Sequence, residues 1–454
     1  MLNLKNISNI HFVGIGGVSM SALAKLMTYK NKTVTGSDDV LSEVTENLQK
    51  LGIHITQHQN LQGVKNCDLL VYTYAVPLSN PDIQLAIELD KPIIERAEFL
   101  GILSSSFEEC IAIAGTHGKT TTTAMIACIM REKNPTVHLG GFSPQLNGNL
   151  LVGDKHIFIT EACEFHKSFL HIKPSYAVIT NVEPDHMDCY KDEKELQDTF
   201  AKFMLQTSKK IILNHNFLHL YDNNYAILSK IITFDIDKKS DFWATNLKEK
   251  NACFSFDCYN DNYFLGRIKL QVQGRHNVFN ALASIAVTTT LGMPFKSIQK
   301  ALKKFLSVER RFQTLRAENP HVVHDYAHHP TEIQCAIQTA KLLKPNKLFC
   351  VFQPHTYSRT LTLFKEFLKC FNGVDELILL PTYSAREKVI EGGTALDLFK
   401  KISKNIKTSY FDDVKKCENY LFKNVQKKDL VLWVGAGSIE NFAKDYVQQL
   451  NEKG

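Results

Sequence analysis

Gly115-Thr116-His117-Gly118-Lys119-Thr120 stands between an apolar run, Cys110 to Ala114, and a segment that opens like a helix. Backbone amides at such a turn surround phosphate oxygens, Lys119 adds a positive charge, and the Thr120 hydroxyl suits Mg²⁺. The usual triphosphate pattern sets its first glycine five residues before the Gly-Lys glycine; here Gly115 is only three before Gly118, which makes a shortened variant. A triphosphate site also needs ligands for Mg²⁺ or Mn²⁺ at neighbouring strand ends. Glu161 ends HIFITE, and His186 closes Glu183-Pro184-Asp185-His186 after PSYAVITN. Glu164, three residues on, is a second candidate.

Another glycine turn, Gly14-Ile15-Gly16-Gly17-Val18-Ser19, follows the strand-like HFV and precedes a helical SALAKLM. Ser19 stands where a dinucleotide fingerprint has its third glycine, and Ser37 and Asp38 lie at the end of the next strand, where an acidic residue would meet a ribose hydroxyl. Two readings stay open from this motif, a dinucleotide and the diphosphate of another nucleotide. The triphosphate turn favours the second, because hydride transfer has no use for it.

These turns need sheets to present them. A chain of 454 residues exceeds what one core usually supports, and short apolar runs alternate with helical periodicity through most of it, which predicts parallel sheets covered by helices. Three α/β units are expected: a Rossmann-like domain over residues 1–107, a central domain over 108–314 and a second Rossmann-like domain over 315–454. Within the centre, the alternating runs between Ile231 and Gln273 predict a small antiparallel β insertion, and a helix is expected around Glu195 to Met204.

A net charge of +6 is scattered and gives little reason to expect nucleic acid. Eleven cysteines without a CxxC pair read as reduced thiols, and no apolar run is long enough to span a bilayer, so a cytoplasmic protein without a membrane partner is expected.

The ordered set GIGGVSMSALA, GTHGKTTTT, EACE followed by SFL, TNVEPDHMD, GRHNVFNALA, RRF, DYAHHPTE, FQPHTYSRT and VGAGSIE resembles the Mur ligase family along nearly the whole chain. The resemblance implies that ATP activates the carboxylate of UDP-N-acetylmuramate as an acyl phosphate and that the amine of L-alanine then attacks it, in peptidoglycan precursor synthesis. The first turn, with Gly14, Gly16, Gly17, Ser37 and Asp38, would hold the UDP-sugar. Gly115 to Thr121, which adds Thr121 to the phosphate turn, would hold ATP together with His276, Asn277 and Asn280 at adenine, Arg311 at the γ-phosphate and Asp325 at the ribose. Lys119, His186 and Arg311 are the implied catalytic residues, with Thr120, Glu161 and His186 as metal partners. Tyr326, His328, His355 and Arg359 would form the alanine pocket. Domain closure around the substrates is expected.

The chain departs from many members of the family. Cys163 and His166 interrupt the acidic motif after Glu161, and Thr356 replaces a second arginine, which leaves more of alanine recognition to Arg359. Rival readings are a ligase that adds a preformed stem peptide to the same UDP-sugar during recycling, a folate glutamylating enzyme, which the first domain argues against, and a sensor that has lost catalysis.

Overall fold

The computed structural model describes residues 4–453 except 186, 188, 222–224, 237, 319 and 403–405. Three sheets follow one another along the chain. The first orders its strands His54–Gln57, Thr33–Asp38, Asn9–Val13, Leu69–Tyr72 and Ile93–Glu95, all parallel. Strand order reverses between Asn9–Val13 and Leu69–Tyr72, and ligands of doubly wound sheets bind beyond the strand ends at such a switch point. The turn Gly14 to Gly17 lies there, directly ahead of helix Val18–Tyr29.

In the ten-stranded central sheet, Glu109–Ala114 lies between Tyr176–Ile179 and Ile157–Glu161. Its apolar residues Ile111 to Ala114 are fully buried, as expected of a parallel strand covered on both faces. This order delivers the phosphate turn, the loop after Ile179 and Glu161 to one sheet edge. The antiparallel strands Phe242–Lys250, Cys253–Asn260 and Tyr263–Gln273 are present and extend the same sheet. Ile231–Ile236, expected to be antiparallel too, instead pairs parallel with strands on both sides. A short apolar run does not encode the direction of its partners. The helix expected around Glu195 runs Glu193–Leu205, with Asp192 accepting from the Glu195 amide at its start.

At the other edge, the hairpin Thr136–Ser143 with Gly148–Leu151 docks on helix Val18–Tyr29. Asn149 Nδ2 donates to Val18 O at 2.6 Å, and His138 bridges Ser19 Oγ and Thr160 Oγ1, both at 3.0 Å. The cores merge as well: Phe12 and Phe99 share one buried cluster with Phe158, Phe169, Phe200 and Phe203. The first unit is therefore fused to the centre by apolar packing.

The third sheet orders Gln313–Arg316, His321–Asp325, Leu430–Val434, Leu348–Phe352, Glu376–Leu379 and Thr408–Tyr410, parallel except for its first pair. It thus begins before residue 315. Phe352, Phe367 and Phe371 fill one face; Trp433 and Tyr446 fill the other. Among the described residues no helix is long and apolar enough to cross a membrane, and all eleven cysteines are free.

Candidate active site

The phosphate turn joins strand Glu109–Ala114 to helix Lys119–Ile129. Gly118 caps that helix at φ +82°, and a Cβ there would stand 2.5 Å from Asn280 Oδ1. Glycine thus permits both the left-handed turn and the close approach of helix His276–Thr290. The neighbouring strand end pins the turn: Thr180 Oγ1 donates to His117 O at 2.6 Å, while Asn181 accepts from His117 N at 2.8 Å and donates to His117 O at 3.0 Å. Neither residue was singled out from the sequence, although both lie in the motif read for its acids and histidine.

Lys119 Nζ is 2.9 Å from Glu164 Oε2 and also donates to Thr116 O. Burial opposes the ammonium charge, but Glu164 outweighs it and raises the lysine pKa. Glu164, a second candidate for the metal, is thereby placed as the lysine's counter-ion. Thr120 Oγ1 donates to Glu161 Oε2 at 2.9 Å, and Gly140 N to Glu161 Oε1 at 2.5 Å. A side chain at Gly140 would meet Glu161 Oε2 at 2.9 Å, so this glycine makes room for the carboxylate, a requirement hidden in the sequence run LGGFS. Burial raises the Glu161 pKa, partly offset by the Gly140 amide and Thr120. Two hard oxygen donors, a half-buried carboxylate and a hydroxyl, fit Mg²⁺, which takes few protein ligands and completes its shell with phosphate and water. His186 lies outside the described residues.

A cavity of about 380 Å³ opens beside the turn. It is lined by His117, Gly118 and Thr121 from the turn, by His276, Asn277 and Asn280 from the start of helix His276–Thr290, and by Arg311 and Asp325. Asn280 Nδ2 donates to Asn277 Oδ1 and Asn277 Nδ2 to Gln273 O, so the amides are ordered before any ligand arrives. Burial lowers the His276 pKa to about 4, with Arg311 acting in the same direction, and the ring is neutral. Asp325 accepts from the amides of Phe312 and Ala327; burial lifts its pKa to about 6 against the pull of Arg311. Glu332, not foreseen as part of the site, stands 3.4 Å from Arg311 and 3.3 Å from His117, which also faces Glu183 at 3.5 Å. Burial would lower the His117 pKa, yet these two carboxylates carry it up to about 9.

The remaining predicted group also converges. Tyr326 and His328 have ring centroids 5.4 Å apart, His328 and His355 6.0 Å, and Arg359 Nη1 is 3.3 Å from His355 Nδ1. His355 and Arg359 line a second cavity of about 680 Å³ with Asp185, Tyr383 and Glu387. Thr356 caps the short helix Tyr357–Thr362 at φ +68°, a conformation that is strained for a β-branched residue. Three successive residues of the central loop are clasped by the third unit: Thr331 Oγ1 donates to Glu183 Oε2 at 2.7 Å, His329 Nε2 contacts Pro184 O at 3.1 Å, and Arg359 Nε reaches Asp185 Oδ1 at 3.0 Å. His329 and Glu332 hold these positions because they form a capping box at the start of helix Pro330–Leu342, with Pro330 in its first turn.

The first glycine turn is built differently. Gly14 N and Ile15 N both donate to Ser37 O, Gly17 N donates to Gly14 O, and Asp38 Oδ2 accepts from Gly16 N at 2.8 Å. Asp38 Oδ1 takes the Val40 amide as well. The Asp38 carboxylate, placed by its spacing at a ribose hydroxyl, also ties down the turn, because the strand end brings it within reach of these amides. The turn amides are occupied within the protein, so a diphosphate here would be met by the start of helix Val18–Tyr29.

Comparison with known proteins agrees with this geometry. Residues 9–108 match the Mur ligase family catalytic domain, 113–288 the Mur ligase middle domain, and 310–437 the Mur ligase glutamate ligase domain. A UDP-N-acetylmuramate–L-alanine ligase from Clostridium botulinum is 42% identical over 97% of each chain. The crystal structure of UDP-N-acetylmuramate–alanine ligase from Thermotoga maritima superposes with a TM-score of 0.82 at 30% identity, covering 99% of this chain and 100% of that one. A murein peptide ligase from Psychrobacter arcticus shares the fold, with a TM-score of 0.72 at 22% identity, covering 98% of both chains.

Proposed function

The chain belongs to the Mur ligase family, and from that premise we propose that it joins L-alanine to the carboxylate of UDP-N-acetylmuramate at the expense of ATP, in peptidoglycan precursor synthesis. One observation carries the reading. The loop after strand Tyr176–Ile179 touches the phosphate turn through Asn181 and the arginine pocket through Asp185, so phosphoryl transfer and amine attack have adjoining places. Residues 1–107 hold the UDP-sugar at the first glycine turn, 108–314 hold ATP, and 315–454 supply the amine pocket.

The residues act as follows. Asn277, Asn280 and neutral His276 receive the adenine, and Asp325 the ribose. Gly115 to Thr121 surround the triphosphate. Lys119 exchanges Glu164 for phosphate oxygens, and Arg311 leaves Glu332 for the γ-phosphate. A carboxylate oxygen of muramate attacks the γ-phosphorus, the bond to the β-phosphate oxygen breaks, and ADP leaves. Charge spread over the transferring group makes this step one of positioning and electrostatics, which Lys119 and Arg311 provide. Thr120, Glu161 and His186 would hold Mg²⁺, which would supply further positive charge to the transferring phosphoryl group. The alanine nitrogen, aimed by Tyr326, His328, His355 and Arg359, then loses a proton to solvent and attacks the acyl carbon, and the tetrahedral intermediate expels phosphate and gives up a second proton to leave the amide. An acyl phosphate is prone to hydrolysis, and the clasp on Glu183, Pro184 and Asp185 closes two units over it. ATP and UDP-sugar place the reaction in the cytoplasm.

The test is phosphate release by the purified protein with ATP, Mg²⁺ and UDP-N-acetylmuramate, with L-alanine, a stem tripeptide or no amine. Release that requires free L-alanine is expected. Release with the tripeptide alone would move the enzyme to recycling, and none with either amine would leave a nucleotide-sugar sensor.

A further inference from the structure

We infer that Asp185 binds the ammonium group of alanine, making the Asp185–Arg359 pair a two-sided receptor for the amino-acid zwitterion. The inference rests on the reading of the second cavity as the amine pocket. Free alanine carries both charges, and burying an ammonium without an anion is costly. Arg359 and its histidine neighbours supply only the side that suits a carboxylate. Two carboxylates line the cavity among the described residues, those of Asp185 and Glu387. Glu387 is engaged in holding the adjacent helix: its Oε2 accepts from the amides of Tyr357 and Ser358, at 2.7 and 3.0 Å, and its Oε1 accepts from the Ser358 hydroxyl. That leaves Asp185.

Its setting suits the task. Asp185 Oδ1 lies 3.0 Å from Arg359 Nε, and the two side chains are 5% and 10% exposed. An ion pair in a cavity wall presents opposite charges side by side, and a zwitterion laid across it places its carboxylate on the guanidinium and its ammonium on the aspartate. Both protein charges then gain a partner, and a four-centre arrangement replaces the pair. Asp185 is also only four residues from Asn181, whose side chain holds the phosphate turn. Glycine fits the charges equally well, so the pair selects an α-amino acid and leaves side-chain choice to the cavity wall.

The competing account is that Asp185 serves only the clasp between the units. Asp185→Asn separates the two, with Asp185→Glu as the conservative variant. Hydroxylamine, which carries no positive charge at neutral pH, can take the place of the amine: its nitrogen attacks the acyl carbon, phosphate leaves, and a hydroxamate is counted. In Asp185→Asn the KM for alanine should rise about 10- to 100-fold, the range set by losing a hydrogen bond to a charged group. Hydroxamate formation should persist, and Asp185→Glu should recover part of the alanine affinity. An unchanged alanine KM, or a parallel loss of hydroxamate and alanine turnover, would overturn the inference. Wild-type protein that forms hydroxamate but ignores alanine would remove the functional reading beneath it.

Discussion

The two glycine turns share a strand, a sharp bend and a helix start, yet they manage charge in opposite ways. At the first, Ser37 and Asp38 accept the turn amides, no lysine intervenes, and contact with the central unit runs through His138, whose pKa burial has lowered to about 4. At the second, Lys119 is held by Glu164, His117 by Glu183 and Glu332, and Thr120 by Glu161. The first is a seat whose turn amides are already bonded within the protein; the second is a set of charges paired provisionally, each carboxylate exchangeable for a phosphate or a cation. A site that only holds its ligand can be finished in advance, whereas one that transfers a phosphoryl group must have partners to exchange.

The sharpest break in this contrast comes from Lys119→Ala. It should lower turnover about 10³-fold or more, as for other groups that face a transferring phosphoryl oxygen. It also removes the ammonium beside Glu164, which is 1% exposed, and breaking a buried ion pair can cost about 3–5 kcal/mol. The double variant Lys119→Ala, Glu164→Gln should therefore recover thermal stability without recovering phosphate release, as calorimetry and a phosphate assay would reveal. If activity returned with stability, Lys119 would be structural.

Glu161→Gln should act next. The Mg²⁺ concentration needed for half-maximal rate should rise at least by the about 10- to 100-fold that loss of even an outer partner of a bound metal typically costs. A metal titration of the rate decides this, and an unchanged midpoint would place the cation elsewhere.

Much of this was readable in advance where the chemistry is local. Strand, turn and helix around Lys119 are contiguous, as are the start of helix His276–Thr290 and the capping box at His329, and each element is set by its own residues. The carboxylate partners were not readable. Arg359 and Asp185 are 174 residues apart, Thr331 and Glu183 148, and nothing in either segment encodes the other. Asp38 is legible from a spacing rule, but that rule says nothing about the turn amides the carboxylate accepts. Pairing direction at Ile231–Ile236 was missed because it depends on neighbours on both sides. Gly140 went unnoticed because the need for it arises only once Glu161 stands over it.

Smaller effects should mark the first turn. Asp38→Ala removes the acceptor of Gly16 N and should weaken UDP-N-acetylmuramate binding about tenfold, through lost order in the turn, with the KM for ATP unchanged. Fluorescence or calorimetric titration reads the first quantity and steady-state kinetics the second. A change in the ATP term instead would merge the two sites.

The smallest expected effect is on pH-dependent stability. Unfolded His138 titrates near 6.5 and the folded ring near 4, so the unfolded chain binds the extra proton between those values. Stability from the buried neutral ring is complete above pH 6.5 and falls as the pH drops toward 4. His138→Gln keeps polar atoms beside Ser19 and Thr160 but cannot titrate. Melting temperatures of the two proteins should thus converge as the pH falls through this window, and a gap of constant size would show that the ring takes up its proton equally in the folded and unfolded chain.

The division of labour between the turns is tested most directly by calorimetric titration of UDP-N-acetylmuramate into wild-type protein and the folded Lys119→Ala, Glu164→Gln variant, without ATP. The account predicts the same dissociation constant for both, because the first turn supplies that ligand's main hold. Loss of sugar-nucleotide binding in step with loss of turnover would contradict it.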